Sequence, residues 1–381
     1  MKIGFDAKRL FNNFTGLGNY SRFVVQALLE YQRNETLILF SPNTERRDHP
    51  DVRSIATAPQ VEVVTPPPIY RWTKTTSLWR SFGIGSSESA SRLDVFHGLS
   101  QELPSGLPSR VRKVVTIHDL IFIRFPELYS RIDARIYRHK AARACDHADV
   151  VVAISEQTKQ DVISFLGTPE SKIKVVYQGT HPQFMSRVST DDIEGVRSKW
   201  KLPERYVLTV GTIEPRKNML QAVRAIARLS ADIRPALVIV GRQTAYKHTV
   251  VTEAKALGIS GNIIFLHTVP FADLPAIYQG ASLFLYPSLF EGFGIPIVEA
   301  LQSRVPVVTS TGSCFSEAGG PHSLYADPAD SEDMASKITK ALTDDELRKT
   351  MTHQGTEYVK QFAPEKIADD LMRVYRGDFM P

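Results

Sequence analysis

Cysteine and long apolar runs are both scarce in this sequence. Only two cysteines occur, Cys145 and Cys314, and neither belongs to a CxxC motif or to a cluster with histidine. No apolar run approaches the roughly 18 residues that a membrane span needs, and residues 1–6 lack the long apolar segment of a secretory signal. These absences exclude a disulfide framework and a structural zinc site, and they predict a cytoplasmic protein.

Length and charge narrow the class of protein further. The 381 residues are enough for two domains of about 150–200 residues each. The hydrophobic and charged fractions, 43% and 23%, are those of a globular protein and leave little room for disorder. Because the net charge of +5 is too small to indicate nucleic-acid binding, we expect no nucleic-acid partner.

Basic residues concentrate in the first half of the chain. Residues 1–182 hold 24 Lys and Arg against 18 Asp and Glu, whereas the remainder holds 22 against 23. Basic residues on a helix are most often simply solvated, but beside aromatic side chains they are also typical of a surface that contacts anionic lipid. The two segments concerned are Arg71, Lys74 and Arg80 with Trp72 and Trp79, and Arg131, Arg135 and Arg138 at helical spacing.

Short apolar runs alternate with helical patterns in both halves, which predicts parallel sheets with helices on both faces. The strands expected in the first half are Ile3–Phe5, Leu37–Phe40, Val61–Thr65, Asp94–His97, Val114–His118, Val150–Ser155 and Lys174–Tyr177, with helices at Tyr20–Tyr31 and Asp133–Ala144. The strands expected in the second half are Tyr206–Val210, Ala236–Val240, Asn262–Val269, Ser282–Tyr286, Val305–Thr309 and Leu324–Ala326, with helices at Met219–Leu229, Leu274–Gln279, Pro296–Gln302 and Ser331–Leu342.

The boundary between the halves lies in a polar stretch. Residues 183–203 are typical of a linker that ends in a short helix, Asp191–Trp200, stopped by Pro203. We therefore expect a first domain over 1–182 and a second over 204–360. A C-terminal segment, 361–381, follows, and its amphipathic helix is free to pack on either domain, including back on the first. Ligands bind beyond the carboxyl ends of parallel strands, so we expect function on strand-end loops that face a cleft between the domains.

The strongest local signal is the loop after the expected strand Ser282–Tyr286. It places Glu291 and Glu299 on either side of the segment Gly292–Pro296. Pro296 suits the first position of a helix, so Glu299 is expected in the first turn of that helix. Glycines let a ligand approach the backbone, and N–H groups at a helix N-terminus favour phosphate. Singly, either glutamate is ordinary, as a partner of the helix dipole or as a solvated residue; together they favour a ligand site.

A second loop follows the expected strand Tyr206–Val210. It runs through Gly211 to Arg216 and Lys217, where a fixed cationic pair can bind phosphate oxygens. Exposed Arg-Lys pairs are common and usually inert. Its position after a strand end is what favours a functional role here.

The first half carries two weaker signals. Gly16 and Gly18 precede a helix and let the backbone approach a charged group, but Ser21 stands where a dinucleotide fingerprint has its third glycine, so NAD binding is poorly supported. His118 ends an apolar strand, where it can hydrogen-bond a substrate hydroxyl or serve a structural role equally well. The sequence shows no Ser or Cys nucleophile elbow, and its Asp, Glu and His spacings suggest no metal site.

Taken together, these motifs resemble those of the retaining glycosyltransferases of family 4. The resemblance rests on Glu291 and Glu299, separated by seven residues within Pro287–Ala300, and on further segments in the family's order along nearly the whole chain. Those segments are Thr15–Tyr20, Thr116–Asp119, Val152–Ser155 and Val210–Asn218. The resemblance implies an α/β protein of the GT-B fold, with two Rossmann-like, doubly wound parallel-sheet domains facing across a deep cleft, and hexosyltransferase activity.

The resemblance also implies roles for individual residues. Glu299 would bind the ribose hydroxyls of a nucleotide-sugar, and Glu291 would bind its hexose. His118 would contact the donor sugar near the reacting carbon. The other implied donor-binding residues are Gly16, Gly18, Gly211, Phe293, Gly294 and Ile295.

The same resemblance implies that two cations, Arg216 and Lys217, would neutralise the diphosphate leaving group. Many members of the family place an arginine directly after the glycine of this loop, where this chain has Thr212. Whether Arg216 supplies that charge or Lys217 acts largely alone is left open by the sequence.

The chemistry implied is transfer of a hexose without a metal. Fixed cations and backbone donors can stabilise the negative charge that develops on a departing diphosphate, and the chain has no Asp-x-Asp motif, so no cofactor is expected. The resemblance implies retention of anomeric configuration and a GDP-mannose or UDP-sugar donor, with mannose favoured. The acceptor would be a saccharide or polyprenyl-linked saccharide of cell-surface polysaccharide or lipopolysaccharide synthesis. The basic first half adds an expected peripheral contact with the inner face of the cell membrane.

Other functions remain open at this point. A GT-B-shaped nucleotide-sugar epimerase would release altered nucleotide-sugar with no acceptor present. A non-catalytic two-domain sugar-binding protein would bind its ligand without reacting. An NAD dehydrogenase ranks last.

Overall fold

A computed structural model of the chain describes residues 1–378, which divide into two compact units. The first unit comprises Met1–Gly179 and the chain from Phe362 onward; the second comprises Thr180–Gln361. Residues 379–381, the end of the expected C-terminal segment, lie outside the described residues.

Seven strands build the sheet of the first unit. They are β1 (Lys2–Asp6), β2 (Thr36–Phe40), β3 (Val61–Val64), β4 (Val95–Gly98), β5 (Arg112–Ile117), β6 (Val150–Ala153) and β7 (Ile173–Val175). The sheet has the order β3-β2-β1-β4-β5-β6-β7, and every pairing is parallel. All four residues of β6 are buried, as expected where helices cover both faces of a parallel sheet. The parallel α/β prediction for this half is confirmed.

Helices connect these strands. They are α1 (Lys8–Asn12), α2 (Gly16–Tyr31), α3 (Pro50–Ala56), α4 (Pro68–Trp72), α5 (Thr76–Leu78), α6 (Glu88–Ser91), α7 (Ile121–Arg124), α8 (Arg131–His147) and α9 (Glu156–Leu166). Local signals set their ends: at α9, the Ser155 side chain accepts a hydrogen bond from the Thr158 N–H, and Gly167 adopts φ +68° after the last turn.

The second unit repeats this architecture with six strands. They are β8 (Tyr206–Val210), β9 (Ala236–Val240), β10 (Ile263–Leu266), β11 (Leu283–Tyr286), β12 (Val307–Ser310) and β13 (Leu324–Ala326), all parallel in the order β10-β9-β8-β11-β12-β13. Its helices are α10 (Thr190–Trp200), α11 (Met219–Arg228), α12 (Lys247–Ala256), α13 (Leu274–Gln279), α14 (Ile295–Gln302), α15 (Phe315–Gly319), α16 (Ser331–Thr343) and α17 (Asp345–Tyr358). Buried residues such as Val207 and Leu285 of the sheet pack with Ile226 and Ile338 of the helices to form its core. A second parallel-sheet domain is likewise confirmed.

The segment between the expected domains is folded into the second unit. Helix α10 contacts α13, and the side chains of Lys199 and Trp200 both donate to Asp273, at 2.7 and 2.8 Å. Residues 183–203 therefore pack as part of this unit instead of spanning freely.

The last helix, α18 (Pro364–Arg376), belongs to the first unit and packs on α2. Its buried Tyr375 hydroxyl lies 2.7 Å from Nδ1 of His97, whose Nε2 is 2.8 Å from the Thr116 hydroxyl. Burial lowers the pKa of His97 to about 3, so this histidine is neutral at physiological pH and serves the packing of the C-terminal helix.

The two basic segments have different environments. Trp79 is only 2% exposed, and Arg80 is held by Asp6 (2.5 Å) and Glu102 (2.6 Å), so the expectation of a basic and aromatic face over Arg71–Arg80 is wrong for these two residues. The two ion pairs of Arg80 join residues that are distant in sequence. By contrast, Arg131, Arg135 and Arg138 of α8 are exposed beside the exposed apolar residues Ile132 and Ile136. Within residues 1–378, no helix is both long enough and apolar enough to traverse a bilayer.

Candidate active site

A cluster of charged side chains lies beyond the carboxyl ends of β8 and β11, which are neighbours in the second sheet. Oε1 of Glu291 accepts from Lys217 Nζ at 2.6 Å and from the Ser288 hydroxyl at 2.6 Å, and Nη1 of Arg216 lies 2.8 Å away. Lys217 also donates to the hydroxyl of Tyr286 at 2.8 Å. Three expected site residues are therefore brought into one buried cluster, and Ser288 and Tyr286 complete it.

The charges of this cluster balance. Burial alone would raise the pKa of Glu291, but Lys217 and Arg216 together hold it at about 2, so the carboxylate is ionised at all physiological pH values. Arg216 also pairs with Glu214 at 2.7 Å and donates to the Phe290 carbonyl at 2.7 Å. Burial opposes the charge of Arg216, yet the neighbouring carboxylates raise its pKa above the usual value. Two cations thus face two carboxylates.

Asn218 ties together the loops that carry the cluster. Its side-chain amide donates to the carbonyls of Pro287 (3.1 Å) and Pro328 (2.8 Å), on the loops after β11 and β13. The Leu289 N–H donates to the Arg216 carbonyl at 2.9 Å. Sequence reasoning missed Asn218, because its partners are distant in the chain; its left-handed backbone (φ +58°) at the start of α11 is typical of asparagine.

The turn before α14 has the glycine geometry that its sequence indicates. Gly294 adopts φ +103° and directly precedes the helix, which begins at Ile295, while Phe293 is 2% exposed. In the described residues, no side chain caps this helix N-terminus, so its first amide groups are oriented outward along the axis.

Glu299 lies in the second turn of α14, so the expectation that it occupies the first turn is wrong. The helix begins one residue before Pro296, and this makes Glu299 its fifth residue. The Tyr278 hydroxyl donates to Oε2 of Glu299 at 2.8 Å. Burial nevertheless raises the pKa of Glu299 to about 7, in contrast with the permanently ionised Glu291.

The glycine after β8 adjoins a second glycine that sequence reasoning missed. Gly211 has φ +155°, and a Cβ placed on it would lie 3.4 Å from the Lys217 side chain. A Cβ on Gly241, at the end of neighbouring β9, would lie only 1.9 Å from the Gly211 carbonyl oxygen. The signal was present in the sequence, because Val240-Gly241 repeats Val210-Gly211 at the next strand end.

His118 lies in the first unit, directly after β5. Its Nε2 is 2.8 Å from the Leu99 carbonyl oxygen, so Nε2–H donates and Nδ1 is the acceptor nitrogen. Burial lowers the pKa of His118 to about 4, and the ring meets Tyr20 edge-on at 4.5 Å. The imidazole is therefore neutral and fixed in orientation at pH 7.

The two first-unit glycines form part of the first turn of α2. A Cβ on Gly18 would lie 1.6 Å from the Asn13 carbonyl oxygen, so backbone packing requires glycine there. A Cβ on Gly16 would meet nothing within 4 Å. Of the pair, Gly16 is the position that is open to approach by a ligand.

The family models for Glycosyltransferase Family 4 and for Glycosyl transferases group 1 match residues 14–184 and 192–358. O-antigen chain mannosyltransferase B of Escherichia coli is 30% identical over 285 residues, 74% of each chain. The serotype-specific mannosyltransferase WbdA of Escherichia coli is 29% identical over 260 residues, 65% of this chain but only 31% of that protein.

The fold also matches solved structures. The crystal structure of Anabaena HepE in complex with UDP aligns with a TM-score of 0.74 over 99% of this chain and 100% of that chain, at 19% identity. Likeness at this identity bears on the fold, and it agrees with the two parallel-sheet units described above. The chain therefore belongs to the glycosyltransferases of family 4 and group 1, and it is a hexosyltransferase with the GT-B fold.

Proposed function

We propose that this protein transfers mannose from a nucleotide-diphosphate sugar to a saccharide acceptor, with retention of the anomeric configuration, in synthesis of a cell-surface polysaccharide or lipopolysaccharide. The observation that carries the proposal is the binding of Glu291 by Lys217 and Arg216 beyond two neighbouring strands. Mannose is favoured because both Escherichia coli relatives are named mannosyltransferases. GDP-mannose is the first candidate donor and a UDP-sugar the second, since HepE was solved with UDP.

The hexose, the ribose and the diphosphate of such a donor each have a chemically matched group in the second unit. Three donors surround Oε1 of Glu291, and the second carboxylate oxygen, Oε2, is proposed to accept a hydrogen bond from a hexose hydroxyl. The carboxylate of Glu299 accepts hydrogen bonds from the ribose hydroxyls. The backbone of Phe293–Ile295 and the amide groups that begin α14 receive the diphosphate.

Lys217 is the cation that reaches the leaving group in this proposal. Arg216 is already bonded to two carboxylates and a carbonyl, so its role is to position Glu291. The ammonium of Lys217 instead rests on Glu291 and a tyrosine hydroxyl, and can turn toward a phosphate oxygen. Loss of one such contact costs about 2.7–4 kcal/mol, or roughly 10²–10³ in rate. We therefore expect turnover without a divalent cation.

The transfer itself breaks the bond between the anomeric carbon and the phosphate oxygen. The acceptor hydroxyl attacks the same face, its oxygen bonds to the anomeric carbon, and its proton passes to the departing phosphate oxygen. No external acid or base is then required. His118, neutral and held by Leu99, would hydrogen-bond the donor sugar through Nδ1, and the Gly16 backbone would approach the diphosphate.

The acceptor is proposed to be anionic and linked to a polyprenyl lipid. The first half carries the excess of basic charge, and α8 exposes Ile132 and Ile136 beside three arginines. Apolar and basic residues on one surface helix are typical of peripheral contact with anionic membranes. Flotation with anionic vesicles at low salt should recover the protein, and an Arg131→Gln/Arg135→Gln variant should float less; equal flotation of both would contradict the membrane contact.

The test of function is a panel of nucleotide-sugars with a saccharide acceptor, in the presence and absence of EDTA. NMR of the product should show the anomeric configuration of the donor, and EDTA should leave the rate unchanged. An inverted product would overturn the retaining mechanism.

The same panel separates the alternatives. Release of altered nucleotide-sugar without acceptor would favour an epimerase, and binding of donor with no product under any condition would favour a sugar-binding protein. In either case Lys217→Ala should lose donor binding only if the charged cluster is the donor site, with Lys255→Ala, at an exposed lysine of the same unit, as the matched control.

A further inference from the structure

A cavity of about 760 Å³ opens at the amino ends of strands in the second sheet, opposite the carboxyl ends that carry the charged cluster. Arg205, Ser282 and Pro306, which line it, directly precede β8, β11 and β12. The donor cluster follows β8 and β11, and a strand rises about 3.3 Å per residue. A whole strand length, on the order of 15 Å, therefore separates this cavity from the charged cluster of the active site.

The charges that line this cavity do not balance. Its two acidic side chains already have basic partners: Asp345 pairs with Arg348 at 2.6 Å, and Glu357 pairs with Lys360 at 2.5 Å. Lys349, also in the lining, pairs with Glu346 at 2.7 Å. Three arginines remain that make no ion pair with any described residue, and they are Arg187, Arg205 and Arg304.

Arg304 is the most constrained of the three. Its backbone has φ +62°, an unusual conformation for a side chain of this size, and it follows α14 after Ser303. Nη1 of Arg304 is buried and has no hydrogen-bond partner among the described residues. A buried guanidinium N–H without an acceptor is costly, so this side chain is held under strain. Because Arg304 is partly exposed and lines the cavity, a ligand that brings acceptor oxygens can bind the part of the side chain that solvent reaches.

We propose that this cavity binds a small phosphate-bearing molecule with at least two negative charges, at a site separate from the donor site. Arginine is the residue suited to such a ligand, because its planar fork donates two parallel hydrogen bonds to phosphate oxygens. Three arginines without partners match the charge of a pyrophosphate-like group. The inference does not depend on which sugar the protein transfers.

The experiment is calorimetric titration of the full chain with inorganic pyrophosphate at low ionic strength. Pyrophosphate also suits the donor cluster, so four proteins are compared: the parent, Lys217→Ala, Arg304→Gln and the double variant. We expect Lys217→Ala to retain the cavity site, Arg304→Gln to weaken that site by at least about tenfold, and the double variant to lose binding at both. Salt should weaken the binding that remains in Lys217→Ala.

A second variant, at an exposed position of the cavity, tests the proposal even if Arg304→Gln fails to fold. In the Lys217→Ala background, Arg205→Gln should weaken the binding of pyrophosphate several-fold. Lys255→Gln, which removes an exposed charge outside the cavity, should leave the affinity unchanged. Removal of one of three unpaired arginines should also raise Tm slightly in the absence of anion, because it relieves like-charge repulsion. If Lys217→Ala binds no pyrophosphate, or Arg205→Gln and Lys255→Gln bind it equally, the cavity is not an anion site. If Lys217→Ala instead loses nothing, the donor assignment fails and the cavity proposal stands.

Discussion

Nζ of Lys217 lies 2.6 Å from Oε1 of Glu291, and the two residues come from loops after neighbouring strands. An ion pair made by a fully exposed lysine is weakened by water and salt, which screen its charge. Here the carboxylate keeps the ammonium in place at the strand ends. Because the same oxygen also binds Arg216 and Ser288, any change at Glu291 affects the whole cluster.

Replacement of Glu291 by glutamine should separate charge balance from catalysis. The change leaves two buried cations without this counter-charge, which we expect to destabilise the protein by about 3 kcal/mol. The freed ammonium of Lys217 should bind a nucleoside diphosphate several-fold more tightly, whereas transfer should fall by at least about 10² because the hexose loses its carboxylate partner. Denaturant unfolding, calorimetry with the diphosphate and a transfer assay measure the three effects. Weaker diphosphate binding by the variant would show that Lys217 does not face the leaving group.

Glu299 should make donor binding depend on pH. Since its pKa is raised to about 7, the carboxylate that accepts ribose hydroxyls forms only as pH rises through neutrality. The Kd of a nucleotide-sugar should therefore decrease between pH 6 and pH 8 and then level off. A nucleotide-sugar is the proper probe, because a free diphosphate titrates near pH 6 itself. Glu299→Gln should bind more weakly and with a flat pH profile; a profile that keeps its slope in this variant would assign the dependence to another group.

The same shift predicts the effect of pH on stability. The folded-state pKa of about 7 lies above the ordinary value of 4.5, so the native protein holds more protons than the unfolded chain between these values. The free energy of unfolding should then decrease as pH rises from about 4.5 to about 7, and this contribution should be missing in Glu299→Gln. Urea denaturation of both proteins across that range measures the difference.

Asn218 should control activity without touching the donor. Asn218→Ala removes two hydrogen bonds from loop carbonyls and strains a backbone at φ +58°, and we expect a loss of about 2–3 kcal/mol in stability together with a lower kcat. Asn218→Gly is the matched control, because it keeps the backbone conformation and loses only the side chain. If the glycine variant has full stability and activity, the two amide hydrogen bonds do not hold the loops.

The strands were predictable because they are short runs composed largely of β-branched, aromatic and leucine residues, and all thirteen predicted positions hold strands. Several helices were not predicted because their apolar pattern is weak. In α12, for example, the buried residues are Val250 and Ala254, which are too few to mark a helical face in the sequence. The loops that carry Glu291 and Lys217 were predictable because they follow strand ends and contain glycines. Specific side-chain contacts were not predictable, since pairs such as Arg80 with Asp6 or Asn218 with Pro328 join residues far apart in sequence.

Two neighbouring glycines of α2 provide a paired test of approach to the donor. Gly18→Ala should destabilise the protein by about 3 kcal/mol, because its Cβ would lie 1.6 Å from the Asn13 carbonyl oxygen. Gly16→Ala meets open space, so the fold should keep its stability or gain up to about 1 kcal/mol of helix propensity. If the Gly16 backbone approaches the diphosphate, however, this variant should raise the KM for donor several-fold while Tm holds. Unchanged kinetics in a stable Gly16→Ala protein would remove the first-unit helix from the donor site and leave diphosphate binding to the second unit alone.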